Sequence, residues 1–522
     1  MRFLLVAVNA KYIHSNPAIY SLRAYAGRRQ AEIHSEMQSD TPSALQAAVE
    51  LAEYTINQQL QDILADIYKR KPDAIGFSCY IWNWSVIQEL LREIPKLLPG
   101  TDLWLGGLAS FKNKIIYYES SRGCPYRCSY CLSSLEKKLR LRNPDIVKRE
   151  LQFFLDTGVK QVKFIDRTFN CNHEHAMLIW NYILEHDNGV TNFHFEIAAD
   201  ILREEVDLLH KMRPGLVQLE IGVQSVNPHT IKEINRVMDV DHLEQIVASI
   251  DAGKNIHQHL DLIAGLPYED YESFAISFDR VYHMHPEQLQ LGFLKVLKGS
   301  YMEEQAAEYG LVYMDRAPYE VLYTRWLSYE DVLQLKKIEE MVEIYYNSNQ
   351  FTHTLPALET CFESPFRMFE ELARFYEEKG FFTESPARAY RYQVLLDFIL
   401  EKDPARQAVY RELLTYDMYL RENLKSRPSF APDLRDRADI AGHIREFFRK
   451  EEQQRKYLPD YQKYDWKQLS KMTHMEPFTY PVWKTGREVF RKGAIGYVLF
   501  DYKNRNPLTY EAGTEIFEEL PQ

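Results

Sequence analysis

Ser121-Arg122-Gly123-Cys124-Pro125-Tyr126-Arg127-Cys128-Ser129-Tyr130-Cys131 carries three of the chain's six cysteines in the spacing C-x3-C-x2-C. Three thiolates so placed can wrap one soft metal centre, and an iron–sulfur cluster held by only three cysteines keeps one iron free to bind another molecule. The alternative is a structural zinc knot, which needs a fourth Cys or His to close it. Cys171, His173 and His175 could supply that ligand, and none stands at the short spacing of a zinc knuckle.

Outward from this loop, residues 111–300 show six strand-like runs, at 115–119, 161–165, 193–198, 216–223, 257–264 and 288–296, and every run but the last leads into a helical pattern. The alternation predicts a six-stranded (βα)6 partial barrel of parallel strands, whose working residues sit on the loops after the strands. The cysteine loop follows the first strand. After the second, Asp166 can accept hydrogen bonds from an ammonium group, while Asn170 and Asn172 are equally good candidates to cap the next helix. In the third, Glu196 faces away from its neighbours Phe195 and Ile197. A carboxylate inside a barrel needs a basic or hydroxyl partner, because an isolated buried charge is costly. In the fourth, Gly222 allows close backbone approach. The basic run at 137–142 reads as a solvated face.

These stretches carry a resemblance. Cys124, Cys128 and Cys131, with Tyr130 just before the third, resemble the cluster loop of radical S-adenosylmethionine (radical SAM) enzymes. Glu220-Ile221-Gly222-Val223-Gln224-Ser225 resembles that family's E-x-G-x-Q-S strand, and Asp261-Leu262-Ile263-Ala264-Gly265-Leu266-Pro267 its D-x-I-x-G-L-P strand. The resemblance implies a [4Fe-4S] cluster on the three cysteines, with S-adenosyl-L-methionine chelated by the free iron. It implies reductive cleavage of that cofactor to a 5′-deoxyadenosyl radical in a cavity shaped by protein, and an electron donor such as flavodoxin or ferredoxin. The site residues it implies are Tyr130, Asp166 at the methionine amino end, Gln224 and Ser225 toward cofactor and substrate, and Gly265 in backbone that packs against the adenine; Glu196 joins them from its place inside the barrel.

Residues 1–110 alternate in the same way: a strand at 2–9, a helix at 17–29, a strand at 33–37, a long helix over 43–69, a strand at 74–79, a helix over 85–98 and a strand at 102–107. This predicts a doubly wound, Rossmann-like parallel sheet whose ligand lies beyond the carboxyl ends of the strands. Placed before a radical SAM loop, and closing on Gly106-Gly107, it resembles the cobalamin-binding domain of B12-dependent members. It is shortened, because a full domain would continue with another strand and helix, and it lacks a D-x-H-x-x-G motif. Candidate contacts at the ligand edge are residues 9–16, with His14, and 80–84, with Trp82 and Trp84. Cys79 reads as a small buried hydrophobe.

Residues 301–522 turn mainly helical and aromatic, with helices at 302–309, 328–346, 365–379, 386–401, 404–424 and 438–451, then a strand at 496–502 and a hairpin completed by 508–510. With the segments upstream, this resembles an uncharacterised group of B12-type radical SAM proteins carrying an extra C-terminal domain. That resemblance names no substrate.

The whole chain sets the bounds. Its 522 residues, 45% of them hydrophobic, suffice for several domains with their own cores. No apolar stretch spans a bilayer, and the cysteine grouping suggests metal binding in a reducing compartment, so a cytoplasmic protein without a membrane partner is expected. A formal charge of −12 argues against broad nucleic-acid binding. The expected function is that of a radical SAM enzyme, with cobalamin as methyl carrier for methyl transfer to an unnamed substrate. The alternatives are a cobalamin-independent radical SAM enzyme and a non-catalytic, zinc-stabilised interaction protein. Methylthiolation of tRNA is a weaker rival, because it would need three cysteines in the first segment, which holds Cys79 alone.

Overall fold

The computed structural model describes residues 2–9, 19–20, 22–28, 48–79, 83–106, 115–135, 138–434 and 438–520. They fall into two compact units, Met1–Lys114 and Ile115–Gln522.

In the first unit, β1 (Arg2–Asn9), β2 (Ala48–Thr55), β3 (Ala74–Ser78) and β4 (Asp102–Gly106) form a parallel sheet in the order β2-β1-β3-β4. Helices Leu60–Arg70 and Trp84–Leu97 connect the strands. The single helix expected over 43–69 is corrected to a strand followed by a helix. Ala, Glu and Leu in Ala48–Thr55 favour a helix in isolation, but the segment lies beside β1 with Leu5 opposite Leu51, and tertiary pairing overrides propensity. The strand expected at 33–37 and the candidate contacts His14 and Trp82 lie outside the described residues.

In the second unit, β5 (Ile115–Tyr118), β6 (Gln161–Phe164), β7 (Asn192–Ile197), β8 (Val217–Gln224), β9 (His257–Ala264) and β10 (Gln288–Phe293) form a parallel sheet in strict sequential order, the six-stranded (βα)6 partial barrel. Alternation divides each strand. Val162, Phe164, Phe193, Phe195, Leu219, Ile221, Leu260 and Leu262 are buried, and Phe195 meets Trp180 of the helix His173–Glu185 edge-on. The opposite parity carries Lys163, His194, Glu196, Glu220, His259 and Asp261. Register sets Glu220 beside Glu196 on one side and His259 on the other.

Helices Tyr329–Met341, Pro365–Glu378, Arg391–Lys402, Gln407–Arg421 and Ala438–Gln454 follow, close to the expected spans. The terminal hairpin differs: Gly496–Asp501 pairs antiparallel with Thr473–Phe478 and Gly513–Phe517, while 507–509 is a turn. The chain after β10 also packs against the barrel mouth. Leu266, Leu294, Val296, Met302, Leu311 and Val321 share one apolar cluster, against which Tyr130 of the cysteine loop rests. Among the described residues no helix is long and apolar enough to cross a membrane.

Candidate active site

The cysteine loop leaves β5 under several restraints. At its base Ser121–Arg122 pairs antiparallel with Arg140–Leu141, so the end of the basic run serves as a strand against the loop. Gly123 then takes φ +96°, left-handed backbone that a side chain would resist. Beyond it, Ser129 N donates to Ile234 O and Met302 N donates to Ser129 O, each at 3.0 Å, so residues far along the chain hold the loop from behind.

Cys124, Cys128 and Cys131 line a single cavity of about 180 Å3 at the mouth of the barrel, together with Tyr130, Thr168, Glu196, Glu220, Gln224, Arg236 and Asp261. Among the described residues, the ligand atoms of His, Cys, Asp and Glu come within 4.8 Å of one another as a trio only at Glu220, His259 and Asp261. The three loop thiols therefore do not all lie within 4.8 Å of one another. Spread thiols suit a cluster, whose cysteines ligate different irons. The histidines that could close a zinc site are also engaged: His173 Nδ1 lies 3.0 Å from Glu205, and His175 Nε2 lies 3.0 Å from Ser120 Oγ. Burial pushes the Cys124 thiol up, and burial with the nearby Cys124 pushes Cys171 up to about 11. Metal coordination supplies the charge that makes such thiols thiolates.

Not all the expected site residues reach the cavity. Asp166, expected at the cofactor, is instead fully buried under the loop, where it accepts hydrogen bonds from Ser120 N at 3.0 Å, Ser120 Oγ at 2.8 Å and Ser121 Oγ at 2.6 Å. It fixes the start of the loop. Ser225 is also fully buried and donates to Glu269 Oε1 at 2.6 Å. Gly265 lies outside the lining too, at φ +90°, where a Cβ would stand 2.8 Å from Val321 Cγ1. Tyr130, Glu196 and Gln224 do line the cavity. Gln224 follows a bulge in β8 and takes φ +74°, and its Oε1 is buried without a hydrogen-bond partner among the described residues. A bulge of this kind re-aims a side chain at a strand end.

Arg236, Glu220, Asp261 and Lys163 were not singled out from the sequence. Arg236 Nη1 stands 3.8 Å from Cys128 Sγ and 3.4 Å from the Tyr130 hydroxyl, and Nη2 donates to Gly222 O, while Nε has no partner among the described residues. Below it, Glu220 Oε2 accepts from Lys163 Nζ at 3.0 Å and lies 2.8 Å from His194 Nε2. Burial opposes the Glu220 charge, but these hydrogen bonds and the Lys163 charge outweigh it and hold the carboxyl at about 2. Among the described residues Glu196 has an ion-pair contact only with Lys163, at the longer distance of 3.9 Å, so burial and the neighbouring Glu220 push it up to about 7. Burial likewise raises Asp261, although His259 Nε2 stands 3.0 Å away.

The cavity thus joins three spread thiols to an unsatisfied amide oxygen, an incompletely paired guanidinium and carboxylates short of positive charge. That donor set fits a zwitterionic, cationic nucleoside such as S-adenosylmethionine, whose ammonium and ribose hydroxyls need acceptors and whose carboxylate needs a donor. The radical SAM superfamily profile matches residues 118–281, which contain the loop and the next four strands. Residues 118–281 form a radical SAM domain. Behind it, residues 307–500 match a protein family of unknown function, DUF4080.

Sequence relatives of this chain include oxygen-independent coproporphyrinogen III oxidase of Salmonella typhimurium, 29% identical over 242 residues, covering 43% of this chain and 48% of the relative. They also include the cobalamin-dependent radical SAM methyltransferase TokK of Streptomyces tokunonensis, 21% identical over 275 residues, covering 48% of this chain and 40% of that protein. The chain spans about half the length of the curated relatives it matches. Among solved structures, the radical S-adenosylmethionine methyltransferase TsrM from Kitasatospora setae aligns at 13% identity and TM-score 0.37, covering 60% of this chain and 77% of that one.

Proposed function

We propose that this protein is a radical SAM enzyme that binds a [4Fe-4S] cluster on Cys124, Cys128 and Cys131 and S-adenosylmethionine in the cavity beside them. The observation that carries the reading is the meeting, in one cavity, of the three loop thiols with the unsatisfied Gln224 Oε1 and Arg236 Nε. When bound, the pair supplies a one-electron route from S-adenosylmethionine to a 5′-deoxyadenosyl radical. The protein's share is binding and placement. Glu196, Gln224 and Asp261 offer acceptors, and Arg236 holds positive charge against Cys128 and Tyr130. A cationic ligand would draw Glu196, pushed up to about 7, back into its ionised form. Lys163 and His194 hold Glu220 charged, which keeps the lumen polar beneath the cavity.

The test is anaerobic reconstitution followed by reduction with dithionite in the presence of S-adenosylmethionine. The expected result is a brown protein with about four irons per chain that yields 5′-deoxyadenosine. A colourless, well-folded protein holding stoichiometric zinc would overturn the reading.

We further propose methyl transfer with cobalamin carried by the first unit, on an organic substrate whose class the chain leaves open. In support, its strands are all parallel and their order reverses between β1 and β3, which opens a crevice at the carboxyl ends. At that switch point Asn83 is buried and Nδ2 donates to Val8 O and Ser78 O, each at 2.9 Å, tying the two strand ends together. Likeness to TokK also supports the reading. Reconstitution with hydroxocobalamin and gel filtration decides it: retained corrin absorbance is expected, and complete loss on the column retires cobalamin while leaving the radical SAM reading intact.

A further inference from the structure

Glu269 is a buried carboxylate that the chemistry above does not use. Glu269 lies two residues after Pro267, on the loop that leaves β9, and is only 1% exposed. Its Oε1 accepts from Ser225 Oγ at 2.6 Å and from Ser277 Oγ at 2.8 Å, while Oε2 has no hydrogen-bond partner among the described residues. Ser225 Oγ in turn accepts from Asn227 N at 3.0 Å, and Ser277 Oγ accepts from Val226 N at 3.1 Å. The two serines therefore relay Glu269 to consecutive amides of the loop that leaves β8. Asn227 Nδ2 to Tyr268 O at 3.0 Å and Thr230 Oγ1 to Pro267 O at 2.8 Å join the same two loops.

This loop begins at Gln224, whose left-handed backbone is not a conformation that a glutamine side chain favours. Such a residue keeps its place only when its surroundings over-determine it. Ser225, the next residue, is where the restraint is applied. We propose that Glu269 is a positioning residue for the cavity: acting through Ser225 and Ser277, it holds the β8 loop in the conformation that presents Gln224, and its release lets that loop open. The proposal rests on the reading of the cavity as the S-adenosylmethionine site.

The latch is sensitive to protons. Burial, partly offset by the two serine hydrogen bonds and reinforced by the charge of Asp270, pushes Glu269 up to about 7. Asp270 is the charged group whose field reaches it, and Ser225 and Ser277 are the hydroxyls that bond it. The closed form therefore binds a proton more tightly than an open form, in which the carboxyl returns to its ordinary value of 4.5. A carboxyl raised on closing stabilises the closed form fully below its ordinary value, and that stabilisation is lost as pH climbs through about 7. Between about 4.5 and 7 the open fraction rises by up to about tenfold per pH unit, and above 7 it levels off.

Hydrogen–deuterium exchange on the full chain with its cluster reconstituted tests this directly, reading amides 222–230 in the wild type, Glu269→Gln and Ser225→Ala and correcting for intrinsic exchange. In the wild type, opening of this segment should rise about sevenfold between pH 5 and pH 6 and level off above pH 7. Glu269→Gln, which keeps the acceptor and loses the titration, should show no such rise. Ser225→Ala should open the segment at least tenfold at pH 6, with iron content and the exchange of β6 and β7 unchanged and S-adenosylmethionine bound about tenfold more weakly. Identical pH profiles in the wild type and Glu269→Gln, or full protection in Ser225→Ala, overturn the proposal. If the cluster-loaded wild type binds no S-adenosylmethionine, the functional reading fails, while the exchange profiles still decide the role of Glu269.

Discussion

In β1 both faces are apolar: Leu4, Val6 and Val8 enter one core cluster and Leu5 and Ala7 another. In β8 of the barrel, Leu219 and Ile221 are fully buried, but the residues between and beyond them are Glu220, Gly222 and Gln224. Both sheets are parallel and both are built from strand–helix units. A sheet covered on both faces has nowhere to keep a polar group except at the ends of its strands, so any ligand must sit at an edge. A sheet curved into a barrel encloses its second face, and there Lys163, His194, Glu196, Glu220, His259 and Asp261 can pair with one another and remain available to a ligand.

The sharpest break of this comparison comes at the cysteines. Replacing Cys124, Cys128 or Cys131 by Ala should take iron from about four per chain to near zero, read by colour and iron assay, while the first sheet is untouched. Next in size is Phe77→Ala in β3, where Phe77 is 1% exposed. Loss of that side chain from a two-sided core should cost about 3–5 kcal/mol in urea denaturation. If it also bleached the cluster, the two sheets would not act separately.

Glu220→Gln probes the lumen and should cost about 2 kcal/mol by taking the carboxylate from Lys163 and His194 and leaving Lys163 the longer contact with Glu196. Because Glu220 is held at about 2, below its ordinary 4.5, its contribution is whole above the ordinary value and is lost as pH falls through about 2. The gap between wild type and variant should therefore be the same at pH 7 and pH 5 and narrower at pH 3.5. The smallest effect sharpens the same contrast. Arg142 Nη2 meets Glu150 Oε1 at 2.6 Å, but their side chains are 45% and 31% exposed, so Arg142→Ala should cost under about 1 kcal/mol. A larger cost than for Glu220→Gln would mean that enclosure does not set the worth of these pairs.

Sequence reading located all six barrel strands because each is a short apolar run between helical patterns, most with a period of two, as in Phe193, Phe195 and Ile197. It misread Ala48–Thr55 because good helix formers fill a strand whose only reason to extend is β1 beside it. Glu220 and Asp261 were within reach: each opens one of the quoted strand motifs and has the inward parity of Glu196. Arg236 had no such signal, since it arrives from a loop between two helices fourteen residues after the Gly222 carbonyl it binds.

What the sequence determined by itself is therefore local and periodic: the C-x3-C-x2-C loop, its place after the first barrel strand, and the α/β class of both sheets. Only the tertiary structure decided which polar residues face the cavity and which serve it from behind. Asp166, Ser225 and Gly265 stand in or beside the motifs that mark the site, yet they lie outside the lining. A motif fixes where a residue sits along the chain. Whether its side chain meets a ligand or a neighbouring loop depends on what packs against it, and for Asp166 and Ser225 those partners come from segments about 45 residues away, Ser120 and Glu269.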